Sequence, residues 1–214
     1  MRCVIVGAAA IANYEKIKTY LKADDFFVFC DGGLSHAAAL GVTPNLIVGD
    51  FESHPCPDPA TSAEIIKLPR EKDDTDSFFA VKEAVRRGFK DFLLLGVIGQ
   101  RFDHSMVNIS ILLYLKKLGL SALLLDDYSE MEVIGGDLED RDNRPAAIPD
   151  SFSYFSLLCI AGDVSNVTIR NAKFPLEKGS IKSDYQYATS NEVISGKTAQ
   201  VSVENGYILL IKVF

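Results

Sequence analysis

Over its first 125 residues the chain alternates short apolar runs with helical segments that close on glycine, and few folds accept that rhythm. Cys3 to Val6, Phe26 to Cys30, Leu46 to Val48, Ile65 to Leu68, Phe92 to Val97 and Ala122 to Leu125 read as strands. Between them, Tyr14 to Leu21, His36 to Leu40, Asp76 to Arg87 and Ser105 to Leu118 carry helical spacing. Gly41, Gly88 and Gly119 stand where three of those helices stop. Phe92 to Val97 is apolar throughout, as expected of a strand buried on both faces. Such a βαβ succession implies a mostly parallel sheet with right-handed crossovers.

After Asp126 the texture changes. Residues 126–150 are rich in Asp, Glu, Gly, Pro and Arg; Met131 to Ile134 reads as a strand followed by a linker. From Ser151 onward the helix signals fade. Tyr154 to Ile160, Val164 to Ile169, Tyr185 to Ala188, Ala199 to Glu204 and Tyr207 to Val213 read as short strands. Turns are expected at Ala161-Gly162-Asp163, Glu177-Lys178-Gly179 and Glu204-Asn205-Gly206, and Asn205-Gly206 between two alternating runs predicts a hairpin. The reading is an α/β N-terminal domain with a mostly parallel sheet over residues 1–140, and a C-terminal all-β sandwich or barrel-like domain over 141–214. A length of 214 residues suits one to two domains.

The charge balance removes several function classes. With 22 Lys and Arg against 29 Asp and Glu, the net charge is -7. Coating a nucleic acid or an anionic membrane needs the opposite surplus. No apolar run approaches the roughly 18 residues of a membrane span. The N-terminal stretch MRCVIVGAAAIANYEK reads as a first buried strand rather than a signal peptide. Cys3, Cys30, Cys56 and Cys159 form no C-x-x-C pair and read as thiols of a reducing compartment, so a cytoplasmic location is expected. His36, His54 and His104 do not cluster with them, which argues against zinc.

Four acidic clusters stand at strand ends or helix starts. Asp31-Gly32-Gly33 follows the second strand; glycines there let backbone approach a ligand closely. Gly49-Asp50-Phe51-Glu52-Ser53 follows the third, and carboxylates two apart in extended chain share a side, as a hard cation requires. Lys72-Asp73-Asp74-Thr75-Asp76 opens a helix, where acids commonly cap, but Lys72 is no cap and suits a phosphate. Gln100-Arg101-Phe102-Asp103-His104 lies between the apolar strand and a buried helix; Arg101 suits phosphate, and Asp103 or His104 suits a cap or a substrate contact. Two motifs are decoys. Ser195-Gly196-Lys197-Thr198 ends like a P-loop but lacks the earlier glycine and a following helix. No dinucleotide fingerprint follows the first strand, and no nucleophile elbow is present.

Together, in this order, the clusters resemble the thiamine pyrophosphokinase (thiamine diphosphokinase) family. Its marks are a D-G-G loop, a G-D-F-D-S loop, a K-D-x-T-D helix start and a G-R-x-D-H segment with a following Asn. Here these are Asp31 to Gly33, Gly49 to Ser53, Lys72 to Asp76, and Arg101 to His104 with Asn108. The family's G-L-K-[YW]-P-L stretch resembles Asn171 to Leu176, and its S-N-E stretch is Ser190-Asn191-Glu192. Glu52 replaces the family's second aspartate and keeps the carboxylate on a longer stem. Gln100 replaces a glycine, and Phe174 replaces Tyr or Trp and keeps a ring face.

The resemblance implies transfer of the diphosphoryl group of ATP to the hydroxyl of thiamine, a step of thiamine diphosphate biosynthesis, by a homodimer with its active site at the interface. It implies Asp50, Glu52 and Asp76 as Mg²⁺ ligands, with Lys72 and Arg101 stabilising the transferred charge. Asp31, Gly32 and Gly33, with Thr75, Asp103 and His104, would serve ATP binding. Phe174, Ser190 and Asn191 would bind thiamine, and Asp76 or Asp73 would be the general base. Two alternatives use the same residues. One is a Mg²⁺-dependent nucleotide phosphohydrolase; the other is a non-catalytic thiamine- or nucleotide-binding protein.

Overall fold

The structure is a computed structural model that describes residues 1–51, 62–71, 73–136 and 144–214. The chain divides into two compact units, Met1–Asp127 and Tyr128–Phe214.

The first unit runs β1 (Cys3–Val6), α1 (Tyr14–Lys18), β2 (Phe26–Cys30), a 3-10 helix (Asp31–His36) leading into α2 (Ala37–Leu40), and β3 (Leu46–Gly49). It continues with β4 (Glu64–Lys67), α3 (Asp76–Arg86), β5 (Asp91–Leu95), α4 (Phe102–Lys117) and β6 (Ser121–Leu125). The strands pair in the order β6-β5-β1-β2-β3-β4, and every pair is parallel, as the alternation predicts. β1 and β3 are buried at every position, which accounts for their unbroken apolar runs. β4 ends the order and carries exposed Glu64 and Lys67, charges that blunt an edge. Two local expectations change. Asp31-Gly32-Gly33 is a turn of 3-10 helix, and α4 starts at Phe102 rather than Ser105.

At the amino ends of β1 and β2 lies a buried ion pair. Arg2 reaches Asp25 through Nη2–Oδ2 at 2.7 Å and Nε–Oδ1 at 3.0 Å, and Nη2 also donates to the Tyr20 carbonyl at 2.7 Å. The Lys22 amide donates to Asp25 Oδ2 at 2.8 Å. Each charge is thus satisfied from several sides, the condition for tolerating burial.

The second unit contains β7 (Ser129–Gly136), β8 (Ala146–Pro149), β9 (Tyr154–Cys159), β10 (Val164–Arg170), β11 (Leu176–Ile181) and β12 (Thr198–Val213). All its pairs are antiparallel, so the all-β reading holds. β7 pairs with β12 along its whole length and belongs to this second unit, which begins at Tyr128.

The expected hairpin at Asn205-Gly206 does not form. β12 passes straight through it as one 16-residue strand. Its first half pairs with β10 and β8, its second with β7 and β9. Gly206 takes φ +90, so the strand bends and changes partners without reversing. The buried side chains of Val201, Val203, Ile208 and Leu210 on both sides of the bend enter one core with Phe155, Leu157 and Val167. Tertiary pairing on both flanks outweighs the local turn preference. Tyr185 to Ala188 is not a strand either. There the Gln186 side chain stands in for one, accepting the Cys159 N–H at 2.6 Å.

Asp25→Ala leaves the Arg2 guanidinium buried without its carboxylate. The expected cost is about 3–5 kcal/mol of stability, read as a lower urea midpoint with an unchanged slope.

Candidate functional site

In a parallel sheet all carboxyl ends lie on one edge, which is where open α/β sheets bind ligands. A cavity of about 670 Å³ lies among the loops that leave this edge, a size suited to a small-molecule substrate. Gly7 to Ala10 after β1, Cys30 and Asp31 at the end of β2, and Asp50 after β3 line one part of it. Thr75, Asp76 and Ser77 at the start of α3, Gly96 to Arg101 after β5 (Ile98 apart), and His104, Ser105 and Asn108 of α4 line the rest. Residues of all four acidic clusters therefore line this one cavity.

Asp31 and Asp76 each keep one carboxylate oxygen withdrawn from solvent. Between them sits Cys30. Burial raises the pKa of its thiol, and the nearby carboxyl groups of Asp76 and Asp31 act in the same direction. The thiol therefore stays protonated.

Other predicted residues turn out to be supports. Thr75 is the N-cap of α3; its Oγ1 accepts the Phe78 N–H at 3.3 Å. Asp74 pairs with Lys82, and Asp73 is exposed and absent from the lining. Gly32 and Gly33 are buried and do not line the cavity. A Cβ on Gly33 would strike the Val6 and Gly7 carbonyl oxygens, so the close approach expected towards a ligand is made instead to the end of β1. Glu52 and Lys72 lie outside the described residues.

Arg101 forks onto Asp103, Nε–Oδ1 at 3.0 Å and Nη2–Oδ2 at 2.6 Å. That hydrogen bonding holds Asp103 far below the usual carboxylate range and raises Arg101. Asp103 is exposed and stands outside the lining, so its contact with the cavity runs through Arg101. α4 fixes the loop beneath. Ser105 Oγ accepts the Gly99 N–H at 3.1 Å, and Asn108 Nδ2 donates to the Val97 carbonyl at 2.7 Å. Asn108 Oδ1 accepts from Ser77 Oγ at 2.9 Å, tying the start of α3 to the same loop.

In the second unit, Phe174 presents an exposed ring, with Lys173 Nζ 5.8 Å from its centroid and bonded to Glu192 at 2.8 Å. Ser190, at φ +54, donates its N–H to Ser156 Oγ at 3.0 Å. Asn191 is buried. Its Oδ1 accepts the Phe174 N–H at 3.0 Å and the Glu192 N–H at 2.9 Å, and its Nδ2 donates to the Phe174 carbonyl at 2.8 Å. The amide expected to face a ligand is committed to the Phe174 backbone, and so it places that ring.

The donor set suits Mg²⁺. This ion takes oxygen ligands and is usually held by one or two carboxylates, with phosphate oxygens and water completing the shell. Asp50 and Asp76 supply such oxygens in one cavity. Among the described residues no three His, Cys, Asp or Glu form a metal cage. An ion here would take part of its shell from a ligand. The sequence reading gave no site role to Gly7 to Ala10, Ser77, Gly96, Val97 and Ser105. Their only signal was position, after a strand or at a helix start.

Comparison with known proteins agrees with both halves. A family model described as thiamin pyrophosphokinase, catalytic domain, matches residues 17–124. One described as thiamin pyrophosphokinase, vitamin B1 binding domain, matches residues 145–208. Thiamine pyrophosphokinase of Bacillus subtilis is 23% identical over 206 residues, covering 90% of this chain and 89% of the relative. The crystal structure of a thiamine pyrophosphokinase from Bacillus subtilis superposes with a TM-score of 0.82 at 20% identity, covering 100% of this chain and 99% of that one. That of a thiamin pyrophosphokinase from Geobacillus thermodenitrificans gives 0.79 at 24%, covering 100% and 98%.

Asn191→Ala strands the buried partners of its amide. The expected loss is about 1–3 kcal/mol, seen as a lower thermal midpoint, together with faster proteolysis at the Lys173 to Leu176 segment.

Proposed function

The chain belongs to the thiamin pyrophosphokinase family, and from that premise we propose how its residues serve the reaction. It is a thiamine diphosphokinase. The diphosphoryl donor is ATP. The bond between the β-phosphorus and the oxygen bridging it to the α-phosphate breaks, and AMP leaves with the electron pair. The thiamine hydroxyl oxygen bonds to that phosphorus, gives up its proton, and becomes thiamine diphosphate. Such transfers depend on positioning and charge neutralisation more than on covalent chemistry. The observation that carries the reading is the convergence of Asp31, Asp50, Asp76 and Arg101 on one cavity at the carboxyl edge of a parallel sheet.

Asp50 and Asp76, with Glu52, would hold Mg²⁺. That ion would neutralise polyphosphate charge. Arg101, with Lys72, stabilises charge on the transferred group; the Asp103 fork keeps its guanidinium oriented. Asp31 walls the nucleotide pocket, Gly33 lets the turn pack against the end of β1, and Gly32 lies buried between them. Asp76 is the better general base than Asp73, since it lines the cavity and Asp73 does not. The exposed Phe174 ring offers a face to the thiazolium cation, a contact contributing about 0.5–2 kcal/mol. Ser190 stands beside it as a further thiamine contact.

We place the enzyme in the cytoplasm as a homodimer. The buried free thiols Cys3, Cys30 and Cys159 support the compartment. The exposed apolar side chains of Phe102, Met106 and Val107 on α4 support a contact between subunits. No helix among the described residues is long and apolar enough to cross a membrane.

With ATP, Mg²⁺ and thiamine, AMP and thiamine diphosphate are expected in equal amounts. Phosphate release indifferent to thiamine would overturn the reading in favour of a hydrolase. Asp50→Ala and Asp76→Ala should each lower kcat by about 100-fold or more with little change in thermal midpoint. Separately, Phe174→Ala should raise KM for thiamine by about 2- to 30-fold and leave KM for ATP nearly unchanged, as steady-state kinetics would read.

A further inference from the structure

The loop after β1 is held in a way the reaction does not by itself require. Gly7 and Ala9 donate their N–H groups to the Leu95 and Gly96 carbonyls, both at 2.8 Å, which ties the start of the loop to the end of β5. Its far end is tied by Asp127, which follows β6 and lies more than a hundred residues away in sequence. Asp127 Oδ2 accepts the Ala12 N–H at 2.9 Å, and Oδ1 accepts the Asn13 N–H at 2.8 Å. Asn13 in turn caps α1, its Oδ1 accepting the Lys16 N–H at 3.0 Å. One carboxylate thus fixes two successive amides, with one oxygen for each.

The clamped segment matters because of what it carries. Ala8, Ala9 and Ala10 form cavity wall. The amides of Ala8 and Ala10 make no hydrogen bond among the described residues. Unpaired backbone N–H groups on a fixed loop are donors for an anion, and a phosphoryl oxygen is the anion this cavity would receive. A loop of alanines has no side chain to hold its own shape, so its geometry depends on its anchors.

We infer that Asp127 is a positioning residue of the nucleotide site: its carboxylate clamps Ala12 and Asn13 so that the Ala8 to Ala10 backbone keeps its amides in place for a phosphoryl group. Asp127 does not touch the substrate. The inference rests on the nucleotide reading of the cavity given above. Its charge-assisted bonds are open to solvent, so their loss should loosen the loop without unfolding the unit.

The test compares wild type, Asp127→Ala and Asp127→Asn. Amide hydrogen exchange of residues 8–13 reads the clamp without reference to activity. Titration with a non-hydrolysable ATP analogue and Mg²⁺ reads the site, and KM for ATP and for thiamine are measured beside it. Asp127→Ala should speed exchange across 8–13 and weaken the analogue and raise KM for ATP by about fivefold. Its KM for thiamine and its thermal midpoint should stay close to wild type. Asp127→Asn keeps one acceptor oxygen and should fall between the two. Unchanged exchange in Asp127→Ala would show there is no clamp. Faster exchange with unchanged affinity for the analogue would show that the clamp does not position the nucleotide. Equal rises in both KM values with a collapsed thermal midpoint would reduce Asp127 to a structural residue. Should Asp127→Ala fail to fold, Asp127→Asn carries the same comparison. A wild type that binds no nucleotide would overturn the functional reading and the positioning role, while the exchange signature of the clamp would survive.

Discussion

The loops after β1, β2 and β5 meet closer than side chains permit, and residues of all three line the cavity. A Cβ on Gly7 would lie 2.6 Å from the Gly96 carbonyl oxygen, and one on Gly96 would lie 2.7 Å from the Gly7 oxygen. A Cβ on Gly33 would collide with the same turn from the other side. Three chain reversals are thus packed backbone to backbone. Real Cβ contacts this short are essentially never seen, so any larger residue would force the loops apart. This knot sets where Asp31, the first residue of its helix, faces the cavity. It also sets where the Ala8 to Ala10 backbone runs. The acidic residues supply chemistry, but the glycines supply its coordinates.

Much of the first unit was legible because its signals are redundant. A strand buried on both faces must be apolar at every position, and a helix that stops needs a residue able to leave it; β1, β5, Gly88 and Gly119 show both rules. The second unit shows where such reasoning breaks. Asn205-Gly206 has the local chemistry of a tight turn, yet the chain runs on because each half of β12 gains its own antiparallel partners. Local preference is worth little against the burial of Val203 and Ile208 on either side of the bend. Nothing in a window around residue 205 reports that β7 and β10 lie ready on opposite flanks.

The site divides along a similar line. Carboxylates at strand ends were legible, since an acid that interrupts an apolar pattern needs a reason. What each residue does next to its neighbours was not. Thr75 and Asp74 are occupied in holding α3, and Asn191 spends its amide on Phe174. Asp103 reaches the cavity only through Arg101. A motif preserves residues that touch a ligand and residues that hold the first kind in place, and spacing alone does not separate them. The alanine loop was invisible for the opposite reason: its working groups are backbone amides, which every residue but proline carries.

The electrostatics of the cavity then bear on its substrates. Asp31, Asp50 and Asp76 line one cavity against the single guanidinium of Arg101, so acidic side chains outnumber basic ones there before any ligand arrives. A nucleotide polyphosphate brought there alone would meet like charge in a partly desolvated space, where the repulsion is much stronger than in water. Only part of that cost can be met by Arg101, whose fork is already shared with Asp103. The proposed ATP would therefore call for an added cation, and the oxygens of Asp50 and Asp76 are suited to hold a hard one. The same acidity would favour a cationic co-substrate. One feature, acidity concentrated at the sheet's carboxyl edge, would thus make opposite demands of the two proposed substrates, and thiamine with metal-bound ATP would satisfy both.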